Sequence, residues 1–143
     1  MHASFVIDAS VIISWRDPRE QSGYGQSILK RLSEEQAIAP IICCMEVNNV
    51  LRQFEKRGLI THDAAQETIA FISMLPINLD NAPLSFKMPH VIELASKYDL
   101  SIYDSCYLEL ALRLHLPLAT MDNKLEKAAR NAGLKLKERA ITK

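Results

Sequence analysis

No cysteine in this chain belongs to a CxxC pair: Cys43 and Cys44 are adjacent and Cys106 stands alone, a poor disulfide framework. Such thiols suit a reducing compartment, where a buried cysteine behaves as a small hydrophobe, and a cytoplasmic protein is expected. Long apolar runs are missing too. Nothing approaches the roughly 20 residues needed to span a bilayer, and no basic region precedes an apolar one at the N-terminus, so no membrane attachment is expected. Net charge is zero, with 17 basic and 17 acidic residues, so the whole molecule does not advertise a polyanionic partner. Gly23-Tyr24-Gly25 meets Ile28 where a dinucleotide fingerprint needs its next glycine. There is no GxxxxGK[ST] loop, no HExxH and no GxSxG, and His2, His62, His90 and His115 are scattered.

What is present is a globular composition, 48% hydrophobic and 24% charged over 143 residues. That suffices for a real core and predicts one domain over 1–143. Charge is uneven along it. Lys124, Lys127, Arg130, Lys135, Lys137, Arg139 and Lys143 outweigh Glu126 and Glu138, a tail that could hold a polyanion or be an ordinary solvated face.

The chain is organised around residues 100–133. Asp104 stands in the first turn of a helix made apolar nearly all round by Tyr107, Leu108, Leu110, Ala111, Leu112 and Leu114, with Pro117 as its stop. Leu118 to Met121 suits a buried strand closed by Asp122, and a further helix runs from Lys124 to Ala132, capped by Gly133. The N-terminus repeats the pattern. Ser4 to Ile7 reads as a strand, Asp8 closes it, and Ser10 can N-cap the segment Val11 to Trp15, whose tryptophan reads as a packing residue.

Between these ends, Ser22 to Ser33 has a helical stripe of Ile28, Leu29 and Leu32, and Ala37 to Ala39 is a short strand ended by Pro40. A strong helix spans Ile41 to Arg57, with Val47, Val50, Leu51 and Phe54 facing the core and Glu46, Asn49 and Gln53 on a neighbouring stripe. Gly58 closes it. A second helix, capped by Thr61 or Asp63 and turning Ala65, Ile69 and Ile72 inward, completes a hairpin. Pro76 to Asp80 is an edge strand, a helix begins near Pro89, and Leu134 to Leu136 is a last strand before a frayed end. Strands alternating with helices give an α/β fold with a central, mainly parallel sheet.

In such sheets functional groups gather beyond the carboxyl ends of the strands, where Asp8 and Asp122 lie and where Asp104 is expected to join them. Singly, Asp104 could be a helix-dipole acid, Asp122 an N-cap, and a helical glutamate solvated surface. Together, acids in one site repel each other and are tolerated chiefly around a hard cation. Oxygen donors suit Mg²⁺ or Mn²⁺, the ions of phosphodiester hydrolysis. Glu46, bordering a buried helix face, is best placed to complete the set.

Four pieces in order resemble the PIN domain, and most closely the VapC-like ribonuclease toxins. They are Val6-Ile7-Asp8-Ala9-Ser10-Val11 with Trp15 and Glu20; Glu46 to Leu51 followed by Lys56-Arg57-Gly58; Tyr103 to Ala111; and Leu118 to Leu125. The resemblance implies a three-layer α/β/α sandwich, Mg²⁺ or Mn²⁺, and endonucleolytic cleavage of RNA. It puts the metal-binding acids at Asp8, Glu46, Asp104 and Asp122, with polar support from Ser10, Asn49 and Thr120. Asn123 stands where some members offer a further acid. A homodimer and an antitoxin partner are also implied, for which Ile60, Phe71 and Met74 are candidate apolar surface. The alternatives are a receiver-like phosphoacceptor domain, which lacks its acidic pair because Asp8 has no acidic neighbour before Asp17, and an inactive PIN fold that only binds protein.

Overall fold

The computed structural model describes residues 2–138. Four short strands, β1 (Phe5–Ile7), β2 (Ala37–Ala39), β3 (Ile77–Leu79) and β4 (Leu118–Ala119), form one parallel sheet in the order β3-β2-β1-β4. Around it are α1 (Ala9–Ser14), α2 (Tyr24–Arg31), α3 (Ile42–Lys56), α4 (His62–Ser73), α5 (Leu84–Tyr98), α6 (Ile102–Leu114) and α7 (Asn123–Asn131). This is the expected three-layer α/β/α arrangement. Phe5, Val6 and Ile7 are completely buried, so β1 is an unbroken apolar run instead of an alternating one, as a strand covered on both faces should be. Around it pack Ile28, Leu51, Tyr107, Leu108, Leu110, Leu118 and Leu125. Gly25 lets α2 approach α1, because a Cβ there would collide with Ser14 Oγ, and Trp15 seals the contact with Nε1 donating to Gly25 O at 2.7 Å.

The register builds the site. Val6 pairs with Leu118 and Ile7 with Ala119, so the residues that follow, Asp8 and Thr120, are neighbours at the carboxyl edge. Asp8 N donates to Ala119 O at 2.9 Å. On the far side of β2, Ala39 pairs with Leu79, and Asp80 N donates to Ala39 O at 2.8 Å.

Several expectations are corrected. Ser10 does not cap α1; Asp8 holds the N-cap position and Ser10 lies inside the helix, bonding back to it. α5 starts at Leu84, well before Pro89, because Ser85, whose carbonyl loses its helical partner to the proline, is exposed to water. Ile69 is 37% exposed. Thr68 takes the inward place on α4, donating to Ala64 O and accepting Arg16 Nε at 2.6 Å. Val50 is only half-buried, and Leu114 is exposed. α6 stops two residues short of Pro117, at a left-handed His115 (φ 55°) that lets Leu116 N reach back to Ala111 O. β4 ends at Ala119, since Met121 spends its N–H on Ser10. The last strand reduces to one bridge, Leu136 to Leu118. Expected fraying beyond residue 138 lies outside the described residues.

Candidate active site

Three of the four acids stand at helix starts, where the backbone leaves N–H groups unpaired and the dipole favours negative charge. Asp8 precedes α1, Asp122 is the N-cap of α7 with Oδ1 accepting Leu125 N at 2.9 Å, and Asp104 is in the first turn of α6. Ser101 caps α6 by accepting Asp104 N at 3.1 Å. Glu46 comes from the second turn of α3.

Asp8 is the most constrained. Its Oδ2 accepts Ser10 Oγ at 2.6 Å and Thr120 Oγ1 at 2.7 Å, which explains why the carboxylate caps no N–H of its own helix. Each hydroxyl is oriented by accepting a backbone N–H, Met121 N on Ser10 at 2.9 Å and Asp122 N on Thr120 at 3.0 Å. Two hydroxyls thus tie the β1–α1 junction to the β4–α7 junction. Asp8 Oδ1 accepts no hydrogen bond among the described residues. Glu46 Oε1 accepts Tyr107 OH at 2.7 Å.

The electrostatics tie the acids to one another. Burial drives Asp8 up to about 6; the bonds from Ser10 and Thr120 oppose this, and the charges of Glu46 and Asp104 add to it. Glu46 is raised by burial, with the charge of Asp104 contributing against the Tyr107 bond. Asp104 is raised by burial and then by Asp122. Among the described residues none of the four forms an ion pair. Nor do any three acid, histidine or cysteine side chains there approach closely enough to hold a metal as they stand. The donors fit Mg²⁺ or Mn²⁺ by chemistry, being oxygens that repel one another.

Ser10 and Thr120 therefore bond Asp8, whereas Asn49 is exposed on α3 and its side chain makes no hydrogen bond among the described residues. Sequence spacing misses Tyr107 OH, because an apolar stripe conceals a hydroxyl. A cavity of about 670 Å³ opens beside Thr120 and Met121, with Arg130, Lys135 and Lys137 in its lining. Much of the basic run is occupied there: Lys137 Nζ bonds Glu35 at 2.6 Å, and Arg130 pairs with Glu126. Arg139 and Lys143 lie outside the described residues.

Residues 5–131 match the PIN domain family. Ribonuclease VapC3 of Pyrobaculum aerophilum is 27% identical over 124 residues, covering 84% of this chain and 90% of that protein. Among solved structures, one from Pyrobaculum aerophilum has a TM-score of 0.70 at 19% identity, covering 90% of this chain and 87% of its own. VapBC2 from Rickettsia felis, bound to a DNA fragment from its promoter, scores 0.65 at 17% identity, covering 93% and 96%. These structural likenesses concern the fold.

Proposed function

The chain belongs to the PIN domain family, and from that premise we propose that it is a metal-dependent endoribonuclease, the toxin of a toxin–antitoxin pair. Asp8, Glu46, Asp104 and Asp122 would hold Mg²⁺ or Mn²⁺. One observation carries this reading: Asp8, Glu46 and Asp104 are buried or half-buried and raised chiefly by burial, neighbouring acids add to each rise, and none of the four acids is ion-paired among the described residues, although Lys124 pulls Asp104 down. When bound, such an ion supplies an activated water and offsets charge on the phosphoryl and departing oxygens. The chain's own part is placement. Ser10 and Thr120 hold Asp8 by one oxygen and leave the other to the site, and the cap on α7 fixes Asp122.

The likeness to Ribonuclease VapC3 supports RNA as the substrate. A homodimer and an antitoxin belong to the same reading, supported by exposed Phe71 and by Met74, 85% exposed. So does a cytoplasmic setting. No helix of the described residues is long and apolar enough to cross a membrane.

The test is cleavage of single-stranded RNA by purified protein with Mg²⁺ or Mn²⁺ and with EDTA. Metal-dependent products bearing 5′-phosphate and 3′-hydroxyl ends are expected. Undiminished cleavage in EDTA, or 2′,3′-cyclic phosphate ends, would contradict the reading.

A further inference from the structure

Glu46 reaches the acid group from a different helix than Asp104, and its carboxylate is only half-buried. A glutamate there has three rotatable bonds, and the repulsion of Asp8 and Asp104 drives it away from them. One contact opposes that. Tyr107 OH donates to Glu46 Oε1 at 2.7 Å, leaving Oε2 without a hydrogen bond among the described residues. Tyr107 is wholly buried, so its hydroxyl has no water to turn to and its ring is locked by packing against the core. It also follows Asp104 by three residues on α6, which sets the two on one face, a turn apart. α6 thus carries one acid and the donor that restrains another.

We propose that Tyr107 is a positioning residue: its hydroxyl holds the Glu46 carboxylate toward Asp8 and Asp104, and so sets how strongly the acids take a divalent cation. This rests on the acidic-site reading above. Filling the core needs only the ring; a hydroxyl aimed at one oxygen of a carboxylate 61 positions away in sequence is the part that packing does not require.

The test is Mn²⁺ binding by calorimetry at fixed pH, beside cleavage as a function of Mn²⁺ concentration. Tyr107→Phe keeps the ring and removes the hydroxyl. Mn²⁺ affinity should fall by about 10–100-fold, the usual effect of removing a partner that orients a metal ligand. The Mn²⁺ needed for half-maximal cleavage should rise in step, with the rate at saturating Mn²⁺ changing far less. In a Glu46→Gln background the same substitution should have no further effect, since the hydroxyl acts through that carboxylate. Wild-type Mn²⁺ binding by Tyr107→Phe, with weakened binding by Glu46→Gln, overturns the positioning role alone. Wild-type binding by Glu46→Gln overturns the role together with the acidic-site reading. An equal loss with and without the Glu46 carboxylate also overturns it, by making Tyr107 a packing residue. If Tyr107→Phe does not fold, Glu46→Asp withdraws the carboxylate from the hydroxyl by one methylene, and wild-type affinity in that variant overturns the proposal.

Discussion

Asp8 and Asp80 each follow directly on a parallel strand of the same sheet, and they are buried alike, at 4% and 5% exposure. Their surroundings are opposite. Asp80 Oδ2 accepts Lys87 Nζ at 3.1 Å and Arg113 Nη2 at 2.6 Å, and Arg113 turns its Nε to Glu109 at 2.8 Å. Burial pushes Asp80 up, but the bonds from Arg113, Ala82 and Lys87 outweigh it and hold the group below its ordinary value. Two acids and two bases balance. Asp8 has hydroxyls where Asp80 has cations, so burial, with a smaller push from the charges of Glu46 and Asp104, drives it up to about 6. Where charge serves the fold, the chain brings its own counter-ion; around Asp8 it places none, which is what the proposed cation site requires.

The hardest break removes an acid from the unbalanced cluster. Asp104→Asn or Asp8→Asn should take RNA cleavage below detection with the circular dichroism spectrum unchanged. Asp8→Asn should also flatten the pH dependence of metal-free stability. A folded value of about 6 against an ordinary 3.8 means the native state keeps a proton that the unfolded chain releases. That contribution, about 3 kcal/mol, is complete below about pH 4 and lost as pH climbs through 6. Denaturant unfolding between pH 4 and 7.5 should find wild type losing ground to the variant; a constant difference would contradict the account.

Breaking the balanced cluster should do the reverse. Asp80→Asn leaves Lys87 buried without its anion, at a cost of about 3 kcal/mol at neutral pH. Because Asp80 is held low, its contribution is present at neutral pH and disappears as pH falls through its folded value, below 3.8. Cleavage per folded molecule should not change, as single-turnover assays on the folded fraction can check.

Smaller effects belong to the hydroxyls. Thr120→Val removes one donor to Asp8 and the acceptor of Asp122 N, so about 1–3 kcal/mol of stability and about tenfold in cleavage should go. Asn49→Ala, which breaks no bond among the described residues, should shift stability by no more than about 0.5 kcal/mol and leave cleavage rates alone.

Much of this comparison is legible in the sequence, but unevenly. Asp8 and Asp122 show themselves because acids closing short apolar runs are conspicuous, and Asp104 because it opens a helix with almost no polar face. Glu46 needs the apolar stripe of α3 as a reference. The balanced cluster escapes for a physical reason. Glu109 and Arg113 have readable i, i+4 spacing, but Pro89 reads as a helix start, which leaves Lys87 in an imagined loop and Asp80 without a partner. Tyr107 illustrates the same limit: periodicity identifies a buried face and says nothing of the one polar atom on it.

The most direct test of the claim that the Asp8 cluster awaits a divalent cation is thermal unfolding at pH 7.5, in EDTA and with Mg²⁺ at a hundredfold excess over its dissociation constant. Wild type should gain about 2.7 kcal/mol from Mg²⁺. Asp80→Asn should start lower and gain as much, because its cluster is already balanced. Asp104→Asn should start higher than wild type in EDTA, relieved of a raised carboxylate, and gain little. If Asp104→Asn gains as much as wild type, or wild type gains nothing, the acids are not a cation site.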